Sequence, residues 1–217
     1  KQWMNAERMG IPLGTLRGEM MEGMKVVKTV SATILKKTGD KAIIDFGQNI
    51  AGWVKVRMAQ LQSGDTVTIR YAEKLDSTGQ LYRENLRNAL STDHYIANGK
   101  ENGRWWSPIF SYHGFRYAEI SGLHSLTEAD ITGEVVSDEM AQTGFFTSSN
   151  KTLNRIYENA VWGILDNYKG MPVDCPQRDE RQPWLGDRTK GCLGEAYVFD
   201  NNMLYAKWAR DITEAQR

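Results

Sequence analysis

The hydrophobic period of this chain changes once, near residue 140, and that change limits what it can fold into. From Lys25 to Val136 the pattern is that of strands. Trp53-Val54-Lys55-Val56-Arg57 and Thr66-Val67-Thr68-Ile69-Arg70 alternate apolar with polar side chains, the period of two of half-buried strands. Ala42–Asp45, Arg116–Ile120 and Ile131–Val136 repeat the theme. Turn signals separate the runs at Gly39-Asp40, Gly47-Gln48-Asn49 and Ser63-Gly64-Asp65. Short strands at this spacing predict an antiparallel β-sandwich over residues 25–140. Ser77 to Gly103 carries little periodicity and reads as a long connection or an irregular hairpin.

From Phe145 onward the period is helical. Ser148-Ser149-Asn150 offers N-caps, and Leu153, Ile156, Tyr157, Ala160, Val161, Ile164, Leu165 and Tyr168 then recur at three- and four-residue steps. Gly170-Met171-Pro172 is expected to end this helix. A second helix is expected from Thr189 to Phe199. A third starts at Asn202, with Met203, Leu204, Trp208 and Ile212 on one side. Two or three helices cannot close a core of their own beside a sandwich. The expectation is therefore a fragment of a longer protein: an N-terminal segment over 1–24, a β domain over 25–140, and the start of an all-α domain over 145–217.

The 217 residues are 41% hydrophobic and 25% charged, with no formal net charge. Without a basic excess there is no argument for a nucleic-acid partner or an anionic membrane surface. No apolar run approaches the roughly 20 residues that span a bilayer. Cys175 and Cys192 match no zinc spacing and are expected to be reduced thiols. His94, His113 and His124 share no spacing with acids that suggests a metal, and are read as structural. Nothing resembles a phosphate-binding loop or a dinucleotide fingerprint, so no cofactor is implied.

Chemistry concentrates in Asp174–Asp187, D-C-P-Q-R-D-E-R-Q-P-W-L-G-D. Asp174, Asp179, Glu180 and Asp187 alternate with Arg178 and Arg181. Pro176 and Pro183 stiffen the run, and Gly186 permits a bend. Trp184 is a good platform for the face of a sugar ring. A stiff loop between helices with several carboxylates and one indole suits glycosidic-bond cleavage. That reaction needs a protonated carboxylic acid for the leaving oxygen and a second carboxylate to activate water or attack carbon. The acid needs burial or neighbouring negative charge, and clustered acids supply the latter.

This fourteen-residue run resembles the signature of the bacterial α-L-rhamnosidases of glycoside hydrolase family 78. Phe46-Gly47-Gln48-Asn49 with Gly52-Trp53, Ile69–Glu73 and Phe110–Tyr117 are also similar to stretches of that family. The resemblance implies a β-sandwich leading into an (α/α)6 barrel that hydrolyses terminal α-L-rhamnosides with inversion. The substrate would be a rhamnose-containing glycan or glycoside. Glu180 would be the general acid, with Asp179 as its competitor. Asp174 and Asp187 would bind sugar hydroxyls, Trp184 would line the pocket, and Arg178 would position a carboxylate. The general base would come from beyond residue 217. Gln182-Pro183 departs from the apolar-Gly pair common before the aromatic, which bears on the reach of Trp184.

Two other readings compete. The sandwich could be a non-catalytic carbohydrate-binding or interaction module with a helical dock. Cys175 could be a thiolate nucleophile, against which stand the following proline and the lack of an oxyanion-hole sequence. Trp105-Trp106 and the aromatics from Tyr112 to Tyr117 are expected to pack the sandwich against the helices.

Overall fold

The computed structural model describes residues 3–7, 10 and 15–216. Of the segment expected over 1–24, residues 1–2, 8–9 and 11–14 lie outside the described residues, as does Arg217. The β region opens with strands β1 (Met24–Ser31), β2 (Thr33–Thr38), β3 (Lys41–Met58) and β4 (Thr66–Ala72). A two-residue pair follows, β5 (Lys74–Leu75) with β6 (Leu81–Tyr82). Then come β7 (Thr92–Ile96), β8 (Arg104–Trp106), β9 (His113–Ser121) and β10 (Ile131–Asp138). All pairings are antiparallel, in the order β1-β10-β3-β9-β4-β7, with β2 and β8 also paired to β3.

β3 is the strand on which the sandwich turns. Two strands separated by a turn at Gly47-Gln48-Asn49 were expected; one 18-residue strand is found. Its register against β9 breaks between Asp45 and Ile50, so the glycine forms a bulge rather than a hairpin. Gly47 has φ 70° and donates its N–H to Asp45 Oδ1 at 2.7 Å. Arg116 grips both oxygens of the same carboxylate at 2.8 Å and, as the main cause, holds Asp45 below the ordinary carboxylate range. Before the bulge β3 lies between β2 and β9; after it, β9 continues as far as Gly52, and β10 and β8 are the partners over Gly52–Met58. β3 thus ties most of the strands into one eight-stranded sheet.

The core is apolar. Ile44, Ile50, Val54, Val56, Ile69, Phe115 and Ile120 are at most 1% exposed, each fully buried side chain stabilising by roughly 1.5–3 kcal/mol. The segment expected to be irregular, Ser77–Gly103, contains β6 and β7, and β7 extends the main sheet beside β4. Its sequence hides this because Asp93 and His94 interrupt the apolar alternation. Asp93 is nonetheless useful inside, accepting from Tyr71 Oη at 2.6 Å and facing His113 Nε2 at 3.1 Å.

Three helices follow: α1 (Lys151–Asp166), α2 (Leu185–Ala196) and α3 (Asn202–Ala215). Asn150 caps α1 by accepting from the N–H groups of Thr152 and Leu153. Only the C-terminal half of its apolar stripe is covered: Leu165 is buried, whereas Leu153 and Ile156 face outward. α2 begins four residues earlier than Thr189. Trp184 takes the N-cap, its carbonyl accepts from Arg188 N–H at 3.1 Å, and Gly186, read as a bend, lies inside the helix. No described helix is long and apolar enough to cross a membrane.

α1 docks on the sheet through polar groups. Asp166 Oδ1 accepts from Ala51 N–H on β3 at 2.8 Å, and Ser137 Oγ on β10 donates to Leu165 O at 2.7 Å. Gly170 N–H donates to Asp138 Oδ2 at 2.6 Å. Burial pushes Asp166 up to about 7 and the neighbouring Lys169 down to about 8. Because the folded state holds a proton on Asp166 that the unfolded chain releases, stability falls as pH climbs from about 4 towards 7. Asp166→Asn keeps an acceptor for Ala51 without that titration. The wild type should therefore lose melting temperature relative to this variant across that window, in a pH series of thermal scans. A pH-independent offset between the two would contradict the assignment.

Candidate active site

Between α1 and α2 the chain runs from Asn167 to Trp184 without regular structure, yet it is held at both ends and in the middle. Asp174 N–H donates to Gln182 O at 3.0 Å, and Gln182 N–H returns to Asp174 Oδ1 at 3.1 Å. Arg181 has φ 45°, a left-handed setting that non-glycine residues seldom adopt. That turn aims its guanidinium at Tyr112, donating to the carbonyl at 2.8 Å and lying 4.4 Å from the ring centroid. The loop then presses against β9 at Gly114, where a Cβ would meet Gln177 Cβ at 2.7 Å and its backbone N at 2.9 Å. Here glycine is needed for close approach.

The loop, the first turn of α2 and one arginine of the β region enclose an open cavity of about 590 Å³. It is lined by Asp174, Arg178, Glu180, Trp184, Asp187 and Arg87, with Asn167 and Arg188 at its base. Glu180 is held from three sides. Its Oε1 accepts from the Trp184 indole N–H at 2.9 Å. Its Oε2 accepts from Arg87 Nη1 at 2.9 Å and lies 3.5 Å from Arg178 Nη2. Negative neighbours were expected around the acid, but the groups that touch it are cationic or neutral donors. Its acidic neighbour, Asp174, is one step further away, across Cys175.

All five residues singled out by the sequence, Asp174, Arg178, Glu180, Trp184 and Asp187, stand on this one wall. Asp179 does not; it is exposed and is not one of the lining residues. Trp184 is 49% exposed despite the unusual Gln182-Pro183 before it. Asp187, in the first turn of α2, is exposed to the cavity. Cys175 is a buried free thiol, 3.4 Å from Asp174 Oδ2, and Cys192 is also free. Asp174, Cys175 and Glu180 bring one ligand atom each within 4.8 Å of one another. Two guanidinium groups already occupy the Glu180 end of that cluster, which makes a poor cation site.

Other expectations change. Trp106 packs against Tyr95 within the β region, with ring centroids 5.2 Å apart, and Trp105 is half exposed. The aromatic that meets the helical part is Tyr112, against Arg181 and Lys169. His113 stacks on Tyr71 in the sandwich, and His94 bonds Thr68. Arg87, Asn167 and Arg188 are the lining residues that sequence reasoning missed. The first lies 93 positions from its partner, so no local pattern could announce it. Arg188 directly follows the charged run and carried the same signal.

Two family models match the chain: the bacterial α-L-rhamnosidase concanavalin-like domain over residues 35–137, and the bacterial α-L-rhamnosidase 6 hairpin glycosidase domain over residues 141–217. An α-L-rhamnosidase of Formosa agariphila is 39% identical over 197 residues, 88% of this chain and 21% of that protein. One of Streptomyces avermitilis is 35% identical over 175 residues, 80% of this chain and 17% of that protein. The solved α-L-rhamnosidase of Dictyoglumus thermophilum superposes with a TM-score of 0.87 at 36% identity, covering 94% of this chain and 23% of that one. The Streptomyces avermitilis enzyme complexed with L-rhamnose gives 0.86 at 31% identity, over 92% of this chain and 19% of that one. The chain spans about a fifth of the length of the curated relatives it matches.

Arg188 fixes the base of the cavity. It donates from Nε to Pro172 O at 2.9 Å, from Nη2 to Val173 O, and from Nη1 to the buried Glu195. Glu195 also accepts from Tyr168 Oη at 2.9 Å and Tyr205 Oη at 2.6 Å, and burial beside it raises both phenols. Arg188→Ala should destabilise the fold by about 3 kcal/mol, the low end for breaking a buried pair, because the two tyrosines still satisfy Glu195. Urea denaturation measures it, and a loss below about 1 kcal/mol, the range of surface pairs, would refute the bracing role.

Proposed function

The chain belongs to the bacterial α-L-rhamnosidase family, and from that premise we propose that the protein hydrolyses terminal α-L-rhamnosides with inversion of configuration, Glu180 acting as general acid. The observation that carries this reading is the Glu180 carboxylate, held by Trp184, Arg87 and Arg178 on the wall of an open cavity with Asp174 and Asp187 beside it.

A carboxylate oxygen offers two lone-pair directions. Arg87 and Arg178 approach Oε2, whereas Oε1 has one protein donor, the indole of Trp184. The acid's proton is assigned to the second direction of Oε1, from which it passes to the glycosidic oxygen as that bond breaks. Asp174 and Asp187 accept from sugar hydroxyls, and the exposed face of Trp184 packs on the ring. Asp179 is set aside because it lies outside the cavity lining.

Inversion requires a water on the opposite face of the sugar and a base roughly 6.5–9.5 Å from the acid. Asp174 and Asp187 serve hydroxyls on this reading, and the resemblance to the family implies a base from barrel residues beyond position 217. On this reading the 217 residues alone do not turn over. The rival, a sandwich that merely binds sugar, leaves the Arg87–Glu180 contact without a purpose.

In the full-length protein, Glu180→Gln keeps the shape of the side chain and removes the donated proton. We expect kcat on an unactivated α-L-rhamnoside to fall by about 10²–10⁴ while rhamnose still binds. NMR of the wild-type reaction in its first minutes should show the β anomer of rhamnose. Retained activity in the variant would move the acid elsewhere, and an initial α anomer would replace inversion by retention.

A further inference from the structure

We propose that Arg87, a residue of the β region, is a positioning residue for Glu180, and that a relay through Asn49, Glu73 and Asn85 holds it in place. The inference rests on the reading of Glu180 as the acid and deepens it: the sandwich supplies part of the active site rather than only a scaffold.

Arg87 follows a short 3₁₀ turn, Glu84–Leu86, and adopts φ 56° and ψ −122°, a conformation L-residues seldom take. Nothing in the turn is loose. Leu86 is fully buried beneath it. Arg83 spans its far side, donating to Ser91 O at 3.3 Å, to Thr92 Oγ1 at 3.1 Å and to Leu90 O. Asn85 Nδ2 donates to Glu73 Oε2 at 3.0 Å, and Asn49 Nδ2 donates to Glu73 Oε1 at 3.0 Å. Glu73 therefore clamps the β3 bulge to the turn that carries Arg87.

This arrangement gives a purpose to two motifs that the cavity itself leaves unexplained. Asn49 closes the Phe46-Gly47-Gln48-Asn49 bulge, and Glu73 closes the Ile69–Glu73 strand end; Asn49 bonds Glu73, and Glu73 bonds Asn85 of the turn. Its output is one contact, Arg87 Nη1 to Glu180 Oε2 at 2.9 Å, across 93 positions of sequence. A donor on Oε2 fixes the rotation of the carboxyl group, and with it the direction in which Oε1 presents its proton.

The test exploits leaving-group chemistry. A departing alkoxide needs the acid's proton, whereas a dinitrophenolate leaves without it. Full-length Arg87→Ala, Arg87→Lys and Glu180→Gln are compared with wild type on an alkyl and a dinitrophenyl α-L-rhamnoside. For Arg87→Ala we expect kcat on the alkyl substrate to fall roughly 30- to 100-fold, with less than about a threefold change on the dinitrophenyl substrate and in either KM. Arg87→Lys should recover part of the loss, and adding Arg87→Ala to Glu180→Gln should cost nothing more. Equal losses on both substrates would make Arg87 structural and overturn the proposal. So would an Arg87→Ala enzyme as fast as wild type on the alkyl substrate while Glu180→Gln is crippled, an outcome that leaves Glu180 as the acid. If Glu180→Gln itself cleaves the alkyl substrate, the acid assignment falls, and this inference with it.

Discussion

One buried carboxylate, Asp166, joins the last turn of α1 to the middle of β3 through the Ala51 N–H. Removing a carboxylate from water is costly, and burial accordingly raises this one to about 7. The contact is directional. An apolar helix face could slide along a sheet with little penalty. A helix end that must satisfy Ala51 N–H and Ser137 Oγ, with Gly170 of the following loop on the Asp138 carboxylate, fits in one setting. That setting fixes Asn167 as the first residue of the following loop, and so fixes where the cavity begins. The Gly114–Gln177 approach then decides how deep the loop lies on β9.

Magnitudes separate the charged contacts into two kinds. The Arg188–Glu195 side chains are only 12% and 8% exposed. Breaking such a pair leaves a buried charge uncompensated, so it bears on folding. In the Arg87–Glu180 pair the arginine side chain is 53% exposed and the glutamate 22%. A pair of that exposure stabilises by about 0–1 kcal/mol, whereas a non-glycine residue in the φ-positive region costs about 1–3 kcal/mol. Stability alone does not account for holding Arg87 in its strained turn. The positioning role proposed for Arg87 at Glu180 does.

The parts of this molecule legible in sequence are those whose signal is local. The alternation of β4 and β10, the Asn150 cap and the site loop all announce themselves within a few residues. Gly47-Gln48-Asn49 misleads because a bulge and a hairpin turn ask for the same residues; only the partner strands distinguish them. β7 is hidden by Asp93, whose carboxylate is satisfied by Tyr71 and His113 from other strands, and by His94, which lies exposed and bonds Thr68. The α1 stripe is legible in the same way as the Asn150 cap, with Leu165 buried at its C-terminal end and Leu153 and Ile156 exposed. At the site, every residue of the charged run that lines the cavity could be named in advance. Arg87 could not, because its role depends on a fold-level approach between residues far apart in the chain.

The change of period near residue 140 marks where helices replace strands, but it does not mark a break in packing. One hydrophobic cluster contains Val54, Ile69 and Phe115 of the sheet together with Leu165, Tyr168, Phe199 and Leu204 of the helical part. The polar contacts cross the same line at Ala51–Asp166, Tyr112–Arg181 and Arg87–Glu180. Cutting the chain there would expose the side chains of a common core and strip Glu180 of a donor. A sandwich selected only to bind sugar would have no reason to share its interior with helices, nor to reach out of its own sheet to grip a carboxylate between them. The sheet is better understood as the support on which the loop Asn167–Trp184 is seated, at Gly114, and from which Arg87 reaches the cavity.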